Sequence, residues 1–384
     1  MNFDFQSASR IAFGLGRAQG IGPAARALGE RALLVTGQNR SRPALCEERL
    51  EHAGVAYRVV RASGEPTIEQ AREAAQLGRD WGATFVVCWG GGSAIDLGKA
   101  AAALIPAPHD VLDYLEVIGG GRPLTVPALP SIAVPTTAGT GAEVTKNAVL
   151  SAPEQRVKVS LRHESMLPRL ALVDPELTLP LPASVTAATG LDALTQCLEP
   201  FVSCQHNPLT DAVALEGLAR GARSLERAVM HGHDLDARSD LSLCSLFGGL
   251  ALANSKLGAV HGFAAPFGGM FESPHGAVCA RLLPVVFEVN LRALRARRPD
   301  GPLLERFERV ARVLTGNPAA RADDAVGWLA ALGARLVIPG LGSYGMQRGD
   351  MAEIAEKAAQ ASSMQGNPLP LETDELLEIL ERSL

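Results

Sequence analysis

Aromatic residues are scarce in this 384-residue chain, at 4%, and they do not interleave with any cluster of Lys and Arg. With 36 basic and 41 acidic residues the net charge is −5. Nucleic acid, which selects basic faces carrying stacking aromatics, is not an expected partner. Cysteine is sparse as well. Cys46, Cys88, Cys197, Cys204, Cys244 and Cys279 are scattered and form no CxxC pair. That argues against a disulfide framework and for reduced thiols in a cytoplasmic enzyme. No uninterrupted apolar run reaches membrane-spanning length, so no membrane partner is expected. The opening MNFDFQSASRIAF has an acid early and no apolar h-region, so no signal peptide is expected. The dinucleotide fingerprint GxGxxG near the N-terminus, followed by an acid, is also missing.

What is present is a soluble globular composition, 47% hydrophobic and 20% charged. The length is large for one core and predicts two domains. The first half alternates strand-like and helix-like segments. Expected strands are Arg31–Thr36, Val55–Val60, Thr84–Trp89, Ser131–Pro135, Val157–Leu161 and Leu170–Val173. Between them 66–82 reads as an amphipathic helix, with Thr67 and Gln70 as a capping box and Ile68, Ala71, Ala75 and Gly78 on one face. Residues 105–130 read as a long surface loop. This alternation predicts an α/β layer with a largely parallel sheet. After LVDPELTLPLP only helices are expected, at 183–203, 208–229, 237–261, 275–296, 301–315, 321–335, 347–363 and 372–384, with Pro284 bending or breaking the one it sits in. The expected division is an α/β domain over 1–181 and a helical domain over 182–384.

The most informative stretch is WGATFVVCWGGGSAIDLGKA, residues 81–100. A short apolar run meets Gly90, Gly91 and Gly92, which allow a tight turn and close approach of a ligand. Ser93 can cap the helix that follows, with Asp96 three residues on. Such a helix start suits a phosphate; the alternative, less favoured by the turn, is a tight strand–helix connection. A second loop, PTTAGTGAEVTKN over 135–147, brings Thr136, Thr137 and Thr140 to the same expected sheet edge. Lys158 reads either as a cation beside a ribose or phosphate, or as a solvated lysine. After the first expected strand, Gly37 stands where NAD-preferring enzymes often carry an acid, and Asn39, Arg40 and Arg42 follow. That predicts tolerance of NADP, unless the loop is simply a solvated basic one.

In the helical half Asp192 and Gln196 share a helix face by their four-residue spacing. His261 is expected to end one helix and His275 to open the next. A carboxylate and two imidazoles from three helices can hold a divalent cation and leave a position open for substrate. Each residue alone also fits a cap or an ordinary helix-start acid. Cys197 and Glu199 read as packing and surface respectively.

GGGSAIDLGKA, PTTAGTGAEVT, GLDALTQCLEP and GAVHGFAAPFGGMFESPHG occur in order, and together the chain resembles the iron-containing (group III) alcohol dehydrogenases, of dehydroquinate synthase-like fold. The resemblance implies an α/β dinucleotide domain, a helical domain, NAD or NADP as cofactor and Fe²⁺ or Zn²⁺ as metal. The implied cofactor residues are Gly91, Gly92, Ser93, Thr136, Thr137, Thr140 and Lys158; Gly37, Asn39, Asp96 and Asn147 complete the candidate set. The implied metal ligands, which are also the catalytic candidates, are Asp192, His261 and His275, with Gln196 where the family usually has a His. Ala265 stands where the family commonly has a further His linked to proton transfer. The expected reaction is hydride transfer between a small alcohol and its aldehyde or ketone, in a homodimer or larger oligomer. The alternatives are a metal-free oxo-acid reductase resembling the maleylacetate reductases and, more remotely, a dehydroquinate synthase-like lyase.

Overall fold

The computed structural model describes residues 2–115 and 117–384. Among the described residues eight strands occur: β1 (Ile11–Phe13), β2 (Arg31–Thr36), β3 (Ala56–Arg61), β4 (Phe85–Gly90), β5 (Ser131–Pro135), β6 (Asn147–Ala152), β7 (Val157–Arg162) and β8 (Leu170–Val173). Six form one sheet in the order β1-β8-β5-β4-β2-β3, every neighbouring pair parallel. All six residues of β4 and all five of β5 are buried. The central strands of a parallel sheet are covered on both faces, which is why FVVCW and IAV read as unbroken apolar runs. Beyond β8 the described residues form helices and short 3₁₀ turns only. The expected α/β first half and helical second half are both found.

By packing, the chain resolves into two compact units. One comprises Ser7–Thr137 and Gly141–Leu179, and holds the sheet. The other comprises Pro180–Leu384 with two short earlier pieces, and has one large apolar core running through its helices. Among the described residues no single helix is long and apolar enough to cross a membrane.

Several expectations need correction. Val157–Leu161 is not part of the parallel sheet; β7 pairs antiparallel with β6, which the sequence reading missed. The β6 segment NAVLSA is a hairpin arm, so its fate depends on a partner that local sequence does not identify. The edge strand β1, only three residues long, was missed for the same reason. Thr67 does cap its helix by accepting from the Gln70 N–H, but the Gln70 side chain donates to the Ser63 carbonyl, so the box is half built. Ser93 does not cap. The helix starts at Gly92 with Gly91 as N-cap and no side-chain acceptor. Inside the expected 105–130 loop lies a one-turn helix, Val111–Tyr114. The helix expected over 237–261 is two, Leu235–Asn254 and Ala259–Met270, bent by 94°. His275–Arg297 runs unbroken through Pro284. The helix expected over 347–363 is confined to Met351–Gln360.

Candidate functional site

The sheet reverses its direction of winding between β2, which leads outward to β3, and β4, which leads the other way to β5. In open parallel sheets the crevice at the carboxyl ends of such strands receives ligands. Here that edge carries Gly37 after β2, the glycine turn after β4 and Thr136–Thr137 after β5. The turn is held close. The Thr136 N–H donates to the Gly90 carbonyl at 2.9 Å. A Cβ on Gly91 would come within 3.1 Å of Thr137, and one on Gly90 would strike the Ala94 methyl at 2.6 Å. With no side chain capping the Gly92–Leu104 helix, its first N–H groups and its dipole are left for an anion. Around Gly37 a Cβ would meet open space. The Asn39 side chain accepts from the Ser41 N–H and hydroxyl at 3.0 and 2.8 Å, a local turn. The β2 end thus offers no carboxylate at 37 or 39.

Behind the turn lies a buried polar cluster. Asp96 has both oxygens engaged by protein: Oδ1 meets Lys99 Nζ at 3.1 Å, and Oδ2 accepts from the Val149 N–H at 3.0 Å. The Lys99 ammonium also donates to the Ala142 carbonyl at 2.9 Å and the Thr145 hydroxyl at 2.8 Å. These bonds fasten the glycine-turn helix to the threonine loop and to β6, so Asp96 stands behind the turn as a support. Glu143, on the same loop, is 2% exposed. Burial pushes its carboxyl up to about 7, against the pull of Lys99. Lys158 is nearly buried and paired with Glu65. Asn147 opens β6 opposite Arg162.

The helical unit brings Asp192, Gln196, His261 and His275 together from three helices. Asp192 and Gln196 lie one turn apart on Ala183–Val202, and the Gln196 amide donates to Asp192 Oδ2 at 2.9 Å. His275 opens its helix as expected, and its Nε2 stands 4.0 Å from Asp192 Oδ1. Gly276 permits this approach, since a Cβ there would strike the Ala188 carbonyl at 2.5 Å. His261 does not end a long helix; it lies in the first turn of Ala259–Met270. Its Nε2 is 3.3 Å from Asp192 Oδ1. Cys279, one turn after His275, places its sulfur 3.6 Å from His275 Nε2.

Glu199 is the residue that sequence reasoning placed wrongly. It is buried at 4% exposure, not on the surface. Its Oε1 accepts the Val260 N–H at 2.7 Å, and its Oε2 faces His261 Nδ1 at 2.6 Å. One carboxylate therefore caps the start of the Ala259–Met270 helix and fixes the imidazole. With Nδ1–H donating to Glu199, the Nε2 lone pair of His261 faces Asp192. Gly258 makes room for this, because a Cβ there would lie 2.9 Å from Glu199 Oε1. Cys279 and Lys99 were also missed. A helix-borne acid three residues after Gln196, and a Cys four after His275, were the available signals.

Three atoms at this place are buried without a hydrogen-bond partner: Asp192 Oδ1, Gln196 Oε1 and His261 Nε2. A carboxylate and an imidazole lone pair 3.3 Å apart repel unless a proton or a cation lies between them. The field favours positive charge. Burial works against ionisation of Asp192, but His261, His275 and Cys279 outweigh it and hold its carboxyl below the ordinary range. Burial likewise opposes charge on His261 and His275, but Cys279 and Asp192, with Glu199 for His261, draw both upward. Ligand atoms of Asp192, His261, His275 and Cys279 all lie within 4.8 Å of one another. Donors hard and soft within that span, two of them unpartnered, fit a divalent cation.

Known proteins show the same pattern over the whole chain. Residues 8–175 match the iron-containing alcohol dehydrogenase family, and 186–384 match the C-terminal part of the Fe-containing alcohol dehydrogenase family. A long-chain-alcohol dehydrogenase from Geobacillus thermodenitrificans is 36% identical over 324 residues, 83% of this chain and 79% of that protein. A 1,3-propanediol dehydrogenase from Citrobacter freundii is 34% identical over 368 residues, 92% of each chain. A crystal structure of a 1,3-propanediol oxidoreductase superposes with a TM-score of 0.92 at 31% identity, covering 100% of both chains. With both halves matched and the buried polar cluster in place, this chain belongs to the iron-containing alcohol dehydrogenase family and is an oxidoreductase of that kind.

Proposed function

We propose that this enzyme interconverts a small primary alcohol and its aldehyde, or a secondary alcohol and its ketone, with NAD or NADP as hydride partner. The alcohol carbon gives a hydride to C4 of the nicotinamide, and its hydroxyl gives a proton to solvent; the reverse reaction restores both. The observation that carries this reading is the convergence of buried Asp192 and His261 with part-exposed His275, Asp192 Oδ1 and His261 Nε2 being unpartnered. These residues, with Gln196 as a further candidate donor, would hold a divalent metal. Such a metal polarises the substrate oxygen and stabilises negative charge developing there. Glu199 keeps the His261 tautomer that leaves Nε2 bare. Gly91, Gly92 and Ser93 supply a helix start for the pyrophosphate, and Thr136, Thr137 and Thr140 supply hydroxyls beside it. Gly37 and Asn39 put no carboxylate against a ribose 2′-phosphate, which favours acceptance of NADP. Ala265, one turn beyond His261, gives no imidazole, so the proton leaves through water or the ribose hydroxyls. The enzyme is cytoplasmic and assembles as a homodimer or higher oligomer.

Elemental analysis of protein purified without chelator tests the reading. Roughly one divalent metal per chain is expected, with turnover of an alcohol and aldehyde panel lost on chelation. Asp192→Ala should lower kcat/KM by about a thousandfold, the scale of a lost charge-stabilising contact; unchanged turnover overturns it. A strong kcat/KM preference for NADH over NADPH overturns the cofactor statement alone. Gln196 in the usual His position, with Ala265, favours one second reading, a metal-free reductase of an oxo-acid bound by Gln196, His261 and His275. Metal-free protein with full activity would establish it.

A further inference from the structure

The geometry points to Cys279 as a metal ligand, a thiolate donor taking the place of the imidazole that Gln196 does not provide. This rests on the metal reading above. Three observations carry it. Cys279 lies one helical turn after His275, on the same face, with sulfur and Nε2 3.6 Å apart. Gly276, which lets this helix approach Asp192, brings both residues in together. The thiol is fully buried, and its sulfur falls in the 4.8 Å group with donor atoms of Asp192, His261 and His275. The Gln196 amide nitrogen donates to Asp192 Oδ2, while its oxygen, the alternative donor, is buried and unpartnered.

A buried cysteine is by default a small hydrophobe. Here it faces two imidazoles and a carboxylate, and three neighbouring atoms, Asp192 Oδ1, His261 Nε2 and Gln196 Oε1, are buried and unpartnered. An amide oxygen is a neutral, hard donor, whereas a thiolate is charged and soft. A set of one carboxylate, two imidazoles and one thiolate selects Zn²⁺ or Co²⁺ over Mg²⁺ or Ca²⁺. On binding, the Cys279 thiol gives its proton to solvent and the sulfur lone pair goes to the metal. Gln196 then acts as a positioning residue, steadying Asp192. A metal held by these residues would polarise a substrate oxygen.

The test is cobalt substitution of the full chain, after chelation, read by absorption. Co²⁺ protein is expected to show a near-ultraviolet sulfur-to-metal charge-transfer band beside its visible bands. Cys279→Ser should abolish the first, keep the second, and weaken Co²⁺ binding by about tenfold or more. Gln196→Ala should retain the charge-transfer band. Bound cobalt without that band in the wild-type protein overturns the assignment and leaves Gln196 as the donor; a band that survives Cys279→Ser comes from another sulfur and overturns it as well. Failure of the wild-type protein to bind cobalt overturns the metal reading itself, and the assignment with it. Serine is nearly isosteric with cysteine, and an unchanged melting temperature shows that the variant is folded.

Discussion

Two of the polar clusters among the described residues, one behind the glycine turn and one in the helical unit, differ in how they are finished. Lys99 meets Asp96, the Ala142 carbonyl and the Thr145 hydroxyl, while the other oxygen of Asp96 takes the Val149 N–H. Every charge there has a protein partner. Around Asp192 three buried atoms have none, and two of them face each other at 3.3 Å. Buried polar groups are ordinarily hydrogen-bonded, because an orphan costs about 1–3 kcal/mol. A finished cluster reads as scaffold, and an unfinished one is where we propose that something else binds. Both sets contain carboxylates and a basic group; only the bonding separates their roles.

The largest expected effect tests the finished cluster. Lys99→Met leaves Asp96 and two acceptors buried without their cation, which should cost about 3–5 kcal/mol in urea unfolding. Metal content should not change. A loss of metal matching the loss of stability would collapse the distinction between the clusters. Glu143, beside Lys99, gives a pH-resolved version. Its folded value is raised, from 4.5 to about 7. Below 4.5 both folded and unfolded chains carry the proton, and there is no penalty. As pH rises through that window only the unfolded chain releases it, so stability falls, by on the order of 3 kcal/mol in all. Glu143→Gln should remove this slope, giving a variant more stable than the wild-type protein at pH 8 and equal to it at pH 4. Parallel stability curves for the two proteins would show that burial of Glu143 carries no such penalty.

The same contrast explains what could be read from the sequence. Arg31–Thr36, Ser131–Pro135 and Leu170–Val173 were legible to the residue, because strands buried on both faces are apolar throughout. The hairpin β6–β7 was not, because its pairing is decided by a partner. The family motifs named Asp192, His261 and His275, and the structure brings these three together. Their supports were not legible, since a buried Glu199 and an exposed one look alike in sequence. Burial of Glu199 follows from Gly258 and from the break at 255–258, both set by how the helices pack. Cys279 was hidden more deeply still. A cysteine on a helix gives no sign of which side chains converge on it from another.

Glu199→Gln gives the smallest effect and the sharpest separation of the clusters. The carboxylate has two acceptors and satisfies two donors, the Val260 N–H and His261 Nδ1–H. An amide keeps one acceptor and replaces the other with a donor. If its oxygen stays on Val260, its NH₂ faces His261, and the ring must carry its proton on Nε2 instead. That closes the lone pair facing Asp192 to any cation. If it turns over, Nδ1–H is satisfied and the Val260 N–H at the helix start is orphaned. Either way the cluster loses one interaction, and loss of an outer-shell partner of this kind lowers metal affinity by about 10–100-fold. Competition with a chelator measures that change directly, and thermal unfolding of the metal-free protein measures the cost to the fold, about 1–3 kcal/mol. Lys99→Met should move the second quantity and not the first. Glu199→Gln should move both, and metal affinity unchanged in Glu199→Gln would mean that the His261 tautomer is set by something other than this carboxylate.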